Sequence, residues 1–307
     1  MAATSRIPSV GFIGLGVMGE PMAAHLAAAG HRLALFDVRE GLAQRLAATF
    51  EGASAPATAA ALARQSDIVV TMVPNGEVVQ QLMSGPDGLL EGFAAGALLL
   101  DTSSSEPWLT RESARRLAER GVAMVDAPVS GAQWGAQAAE LVFMVGGAAA
   151  DVARVRPLLD VMGRAVFHLG PLGAGHSMKC LNNLVTAVNL QALCEVLVIG
   201  RRQGLDPTAM VDVLNESTGM SWIAQTHIKQ RIINRAFDDP FKLSLMLKDI
   251  GIATELASAA GLPVPLATLA QQLWRAAALT AEPDASISEM VRWFEGVSGT
   301  EIAAPPA

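Results

Sequence analysis

The chain has 307 residues and a net charge of −7, with 51% hydrophobic and 17% charged residues. That length holds one large domain or two ordinary ones, and the acidic balance argues against a nucleic-acid partner, whose phosphates need a basic face. So little charge also points to surface hidden in an oligomer. The opening residues, MAATSRIPS, lack an apolar core and read as no signal peptide. They run into an apolar strand at 10–13, and Gly14, Leu15, Gly16, Val17, Met18 and Gly19 follow at once. Met18, Met22 and Leu26 then recur at helical spacing until Gly30. This is the strand–turn–helix setting of a dinucleotide-binding loop: Gly14 allows the tight turn, Gly16 lets backbone approach a pyrophosphate, and Gly19 permits close helix–strand packing. The helix start supplies unpaired N–H groups for the phosphates. A purely structural turn is the competing reading.

A second strand at 33–36 ends in Asp37. A carboxylate there accepts ribose hydroxyls and repels a 2′-phosphate, which favours NAD as cofactor. Arg39 leaves NADP open, because a guanidinium reaches a 2′-phosphate. The alternative for Asp37 is an N-cap on the next helix. Further strands at 68–73, 97–100 and 122–125 alternate with helices at about 76–84 and 107–119. Such alternation predicts an α/β fold with a doubly wound parallel sheet and a ligand crevice at the strand carboxyl ends. MVPN (72–75), DTSSSEP (101–107) and DAPVSGA (126–132) lie there. Strands at 141–145 and 165–169 are expected around a helix at 150–162.

In GPLGAGHSMKCLNNL, residues 170–184, three glycines precede a helix running from 176 to 203. Lys179 and Asn183 are four residues apart and share one face of it. A lysine gives or takes a proton, and an asparagine holds a substrate oxygen without titrating; in isolation the same pair would also fit a solvated edge. From Leu184 to Ile199 the helix is apolar all round and must be covered on every side. Asn189, Gln191 and Glu195 argue against a membrane span. Cys180 and Cys194 sit about 21 Å apart along it, too far to pair, consistent with a reducing, cytoplasmic setting. Helices follow at 207–216, 220–236, 243–260, 264–278 and 286–296, broken by prolines such as Pro207, Pro240 and Pro263. They are too few to cover the long helix, so a partner subunit is expected. The division is a dinucleotide-binding domain at 1–170, a helical domain at 171–300 and a disordered tail at 301–307.

Four segments, GFIGLGVMGEPMAAHL, DAPVSGA, GAGHSMKCLNN and LMLKDIGIATELA, span nearly the whole chain in order. By these the chain resembles the β-hydroxyacid dehydrogenases of the 3-hydroxyisobutyrate dehydrogenase family. The resemblance implies a Rossmann-like domain, a helical domain joined through the long helix, and a homodimer or homotetramer. It implies hydride transfer between a nicotinamide and a small 3-hydroxy acid or the corresponding semialdehyde. Lys179 would be the catalytic residue and Asn183 would orient substrate. Ser130 and Gly131, with Ala132 beside them, would hold the substrate carboxylate. Val73, Pro74, Asn75, Ser104 and Lys248 match the stretches that contact cofactor; no metal is implied. NADP-dependent relatives carry Asn-Arg-Thr where this chain has Asp37-Val38-Arg39, so NAD is favoured again. The chain departs from the family at Ala132 and Ala139, where glycine is usual, and at His25, where asparagine is usual. His176, one turn before Lys179, reads as helix-entry polarity ahead of substrate contact. Trp222 and Phe241 read as core ahead of pocket lining. Imine reduction on the same fold is the competing enzymatic reading, though that family replaces the lysine. A non-catalytic nucleotide-binding module is the other alternative.

Overall fold

The structure, a computed structural model, describes residues 8–304. The chain divides into two compact units, the first ending at Lys179 and the second beginning at Cys180.

The first unit is built on eight strands: β1 (Val10–Ile13), β2 (Leu33–Phe36), β3 (Ile68–Thr71), β4 (Leu98–Asp101), β5 (Ala123–Asp126), β6 (Val129–Ser130), β7 (Leu141–Gly146) and β8 (Gly163–Gly170). Its helices are α1 (Gly19–Ala28), α2 (Leu42–Ala47), α3 (Ala59–Ala63), α4 (Gly76–Met83), α5 (Leu89–Gly92), α6 (Pro107–Ala118), α7 (Ala132–Gln137) and α8 (Ala149–Met162). Every residue of β1, β3 and β4 is buried, as expected for strands covered on both faces. Val70, Leu98 and Leu100 join the core formed with Met22 and Leu26 of α1 and Val155 and Leu159 of α8. Their neighbours Val69 and Leu99 join Leu62, Val79, Met83 and Leu117 in the core of the opposite face. Each such buried aliphatic side chain contributes roughly 1.5–3 kcal/mol.

The sheet order is β2-β1-β3-β4-β5-β7-β6, with β8 beside β7. Strands β1 to β5 are parallel. The doubly wound parallel sheet expected from the sequence is present in β1 to β5, and the sheet becomes mixed at β7, which runs antiparallel to both β5 and β6. Between β5 and β7 the chain makes only the two-residue β6 and the short α7. It therefore turns back along the sheet edge instead of crossing a face, as a parallel return requires. The chain leaves β1 toward β2 and returns on its other side as β3. The loops after β1 and β3 thus flank a topological switch point, where such sheets place their ligand. Helices α2, α3, α5 and α7 have four to six residues, too short to show periodicity in the sequence.

Helix α9 (Ala174–Arg202) is one element of 29 residues. By length and composition it would pass as a membrane span. In the second unit its Ala187, Leu190, Cys194 and Leu197 enter a core with Ile228, Ile232, Ile250, Trp274 and Phe294, whereas Val185 and Ile199 are about 60% exposed (60% and 63%). Helices α10 (Pro207–Asn215), α11 (Leu243–Ala259), α12 (Pro265–Thr280) and α13 (Met290–Ser298) complete the unit with a π-helical stretch, Ala224–Ile233. The tail expected to be disordered over 301–307 is anchored at Ile302. That residue is fully buried, donates its N–H to Glu295 at 2.7 Å and accepts from Arg235 at 3.3 Å. Residues 305–307 lie outside the described residues.

Both alanines that stand where the family resemblance implies glycine hold strained backbone: Ala132 has φ 52° and Ala139 φ 56°. They bracket α7. The Glu140 N–H closes on the Gly135 carbonyl at 2.8 Å, a helix ending that favours glycine at the residue between. Left-handed backbone costs a non-glycine residue about 1–2 kcal/mol, partly offset by glycine's larger unfolded-state entropy. Ala132→Gly and Ala139→Gly should each stabilise the first unit by about 0.5–1 kcal/mol, raising its melting temperature by about 1–4 °C. Scanning calorimetry reads this, and a lowered midpoint would show that the methyl groups contribute more by packing than the backbone loses.

Candidate active site

The loop after β1 uses its three glycines for three reasons. A Cβ on Gly14, at φ 92°, would meet the Met72 carbonyl oxygen at 2.2 Å, and one on Gly19 would meet the Gly14 carbonyl oxygen at 1.8 Å. These two hold β1, β3 and α1 close together. A Cβ on Gly16 would meet nothing within 4 Å. Gly16 borders open space, and a side chain there would fill the space a pyrophosphate needs beside the backbone of Leu15, Val17 and Met18. The loop therefore fits a dinucleotide. At the end of β2, Asp37 accepts the Leu15 N–H at 2.7 Å and so braces the same loop. Burial pushes the Asp37 carboxyl up, but hydrogen bonds from the Arg39 side chain, the Arg39 backbone and Leu15 outweigh it and hold the group at about 2. It is a carboxylate at any physiological pH. The N-cap alternative for Asp37 is not realised, since Gly41 precedes α2.

Across the switch point, Val73 donates its N–H to Ser103 Oγ at 3.0 Å. The Asn75 side chain accepts the Val78 N–H at 3.0 Å and caps α4. The Ser-rich loop after β4 is organised by Asp101, which is 1% exposed. Its Oδ1 accepts Thr71 Oγ1 at 2.9 Å and the Ser103 N–H at 3.1 Å, and its Oδ2 accepts Ser105 Oγ at 2.9 Å. Ser104 lies within this braced turn.

The first turn of α9 is fastened to the same end of the sheet. Asp126, the last residue of β5, accepts the Gly173 N–H at 2.7 Å and the His176 N–H at 2.8 Å. A Cβ on Gly146 would come within 2.4 Å of one Asp126 oxygen, and one on Gly175 within 2.8 Å of the other. Only glycine lets these backbones close around the carboxylate. Burial pushes the Asp126 carboxyl up, opposed by His176 and by the two N–H groups. The His176 ring is fully buried. Its Nε2–H donates to the Ser103 carbonyl at 3.1 Å and its Nδ1 meets Thr110 Oγ1 at 2.8 Å, with Asp101 and Asp126 each 3.7 Å away. His176 is thus an interior anchor and faces no substrate. Lys179 stands three residues on and is half-buried.

On the substrate-loop side, Ser130 pairs with Val142 between β6 and β7, and Gly131 turns the chain at φ 135° into Ala132. His25 is a packed residue: its Nε2 bonds to the carbonyls of Ala136 and Gln137 at 3.0 and 3.1 Å, tying α1 to the end of α7. In the second unit, Asn183 is 5% exposed and donates from Nδ2 to Asp249 Oδ2 at 2.6 Å. Lys248 Nζ lies 3.3 Å from Asp249 Oδ1. Asp249 escaped the sequence reading, although an acid beside Lys248 in so apolar a helix was a signal. Burial pushes the Cys180 thiol up to about 12 and Cys194 higher still, so neither is a nucleophile.

Residues 9–170 match the NAD-binding domain of 6-phosphogluconate dehydrogenase, and residues 173–294 match the NAD-binding domain of NADP-dependent 3-hydroxyisobutyrate dehydrogenase. The chain is 35% identical to the 2-(hydroxymethyl)glutarate dehydrogenase of Eubacterium barkeri, covering 96% of this chain and 97% of that protein. It is 37% identical to the 3-hydroxyisobutyrate dehydrogenase of Pseudomonas aeruginosa, covering 90% and 93%. The solved 3-hydroxyisobutyrate dehydrogenase of Mycobacterium tuberculosis, with L-serine, superposes with a TM-score of 0.82 at 33% identity over 93% of this chain and 98% of that one. An imine reductase from Myxococcus stipitatus, at 20% identity, shares the fold alone.

Asp126→Ala leaves two buried N–H donors at the start of α9 without an acceptor. The expected cost is about 2–4 kcal/mol, read as a lowered urea midpoint for the first unit. An unshifted midpoint would mean that water replaces the carboxylate.

Proposed function

The chain belongs to the 3-hydroxyisobutyrate dehydrogenase family, nicotinamide-dependent oxidoreductases of small hydroxy acids, and we propose that it transfers hydride between NAD and a 3-hydroxy acid with Lys179 as general acid–base. The observation that carries this reading is the buried anchor of α9. Asp126 and His176 bind the first helical turn to the carboxyl ends of β4 and β5, with the His176 ring on the Ser103 carbonyl. Lys179 follows three residues later on the same helix, which supports its assignment beside the loops proposed to hold the cofactor.

Gly14 to Gly19, Asp37, the 73–75 turn and Ser104 would hold the dinucleotide, with Lys248 as a further contact. When bound, its nicotinamide ring supplies the hydride acceptor. Ser130, Gly131 and Ala132 would bind the substrate carboxylate, and Asn183, oriented by Asp249, would hold the reacting oxygen. Neutral Lys179 then takes the hydroxyl proton as the carbon loses hydride; in the reverse direction the ammonium returns it. Oxidation releases one proton, so its equilibrium shifts tenfold toward product for each unit of rising pH.

The exposed apolar side chains along α9, Val185, Val196 and Ile199 among them, support a homodimer or homotetramer. The net charge of −7 and the two buried cysteines, neither in a disulfide, support a cytoplasmic enzyme without nucleic-acid or membrane partners. Imine reduction and a non-catalytic module are both disfavoured by the presence of Lys179 together with Asn183.

Incubation with a panel of 3-hydroxy acids and either nicotinamide should produce absorbance at the reduced-nicotinamide band. NAD should be preferred at least about fivefold in kcat/KM, because Asp37 repels a 2′-phosphate. Methyl esters should be poor substrates, and equal turnover of ester and acid would remove the Ser130 loop from carboxylate binding. Lys179→Ala should lower kcat by about 10²–10⁴ with NAD affinity nearly intact. Lys179→Arg should recover little, since a guanidinium does not deprotonate. Retention of a tenth of the turnover by Lys179→Ala would make the lysine an electrostatic bystander.

A further inference from the structure

We propose that Arg39 is an internal competitor for the ribose site and that its release from Asp37 sets the balance between NAD and NADP. The inference rests on the reading of Asp37 as the ribose-binding acid. The Asp37 side chain is 7% exposed and that of Arg39 is 57% exposed. Oδ2 of Asp37 accepts the Leu15 N–H at 2.7 Å, and Oδ1 accepts the Arg39 backbone N–H at 2.9 Å. The guanidinium lies across both oxygens, with Nε to Oδ1 at 2.9 Å and Nη2 to Oδ2 at 3.0 Å. A carboxylate offers about four lone-pair sites, and all four are filled. Two donors are backbone groups, one in the glycine loop and one in the turn after β2, and both stay. The other two belong to an exposed side chain. A ribose that places hydroxyls on Asp37 must first displace that side chain.

The guanidinium has an alternative position. Arg39 borders a groove of about 360 Å³ that is also lined by Gly16, Val17, Glu20, Pro21 and Gln137. The charge of Glu20 acts on Arg39 alongside that of Asp37. NAD moves Arg39 off Asp37 toward Glu20 and brings no phosphate to the ribose edge that Asp37 faces, so the lost ion pair weakens NAD binding. NADP brings a 2′-phosphate that suits the planar fork in two-point geometry, so the same residue offsets part of the repulsion from Asp37. Arg39 therefore works against the cofactor that Asp37 selects.

The test is calorimetric titration of wild type, Arg39→Ala and Arg39→Lys with NAD and with NADP, without substrate. An exposed two-point ion pair is worth a few-fold in an equilibrium constant. NAD should bind Arg39→Ala about three- to tenfold more tightly than wild type, and NADP about tenfold more weakly. Arg39→Lys should fall between, because an ammonium does not span both oxygens. Added salt should narrow the gap for NAD by screening the pair. Equal melting temperatures would confirm that the variants fold alike. Unchanged or weaker NAD binding by Arg39→Ala overturns the inference and makes Arg39 a direct cofactor contact. If Asp37→Ala binds NAD as well as wild type, the ribose assignment beneath it falls instead; if wild type binds neither nucleotide, the cofactor reading falls with it.

Discussion

The arrangement of the first unit depends on the carboxylate of Asp126. It terminates β5 in the unit's interior and takes both free N–H groups that the start of α9 presents to it. Burying a charge this completely is costly unless hydrogen bonds and an opposite charge repay it. Here the chain entering α9 supplies two N–H groups to the carboxylate, and His176 packs beside it. The requirement explains glycines that would otherwise look incidental. Gly146 and Gly175 have no room for a Cβ because the carboxylate occupies it. A helix fastened by its first turn to a sheet is fixed in rotation as well as position, and rotation decides where Lys179 points.

The same device recurs at the ends of two other strands of the sheet. Asp37 closes β2 on the glycine loop, Asp101 closes β4 on the serine loop, and Asp126 closes β5 on α9. Each is an acid at a strand carboxyl end whose oxygens take backbone N–H groups of a functional loop. Loops at such a crevice must be irregular to contact a ligand, and irregular backbone leaves donors unpaired. Short acids at the strand ends pair them locally. The loops then keep a defined shape with no helix or strand of their own, which is the preorganisation that a hydride-transfer site needs.

Much of this was legible in the sequence. The glycine loop, Asp37 and the strand ends stood out because each has a local signature: a glycine spacing, an apolar run, a breaker. Helix α9 stood out by length alone. What stayed hidden has no local signature. The reversal of β7 follows from the chain turning back along one sheet edge, a choice written in the absence of a long crossover. The four short helices span fewer than two helical turns. Ile302 is one apolar residue in a stretch of small ones, and only the completed core shows that it docks. His176 could be placed at a helix entry, but its role depends on Ser103, Thr110, Asp101 and Asp126, which are distant in sequence. Asp249 was visible as a residue and became meaningful only through its bond to Asn183.

These differences also separate what the fold determines from what individual side chains determine. The dinucleotide loop is made of backbone: glycines that create space, N–H groups that point into it, and acids that hold it. A loop built from backbone depends little on which side chains flank its glycines, so a cofactor class is readable across relatives near 35% identity. In the proposed function, acid recognition rests instead on single side chains, those of Ser130, Ala132, Lys179 and Asn183. One methyl or one hydroxyl shifts the discrimination between neighbouring substrates by only about 1–3 kcal/mol, but that is enough to change which hydroxy acid is turned over. Relatives alike along nine-tenths of their length can therefore carry the names of different acids. In this chain the alanine at position 132 places such a methyl on left-handed backbone, where glycine would relieve the strain. In the proposed site that methyl would stand beside the loop that holds the substrate carboxylate, where it would help to separate one acid from another.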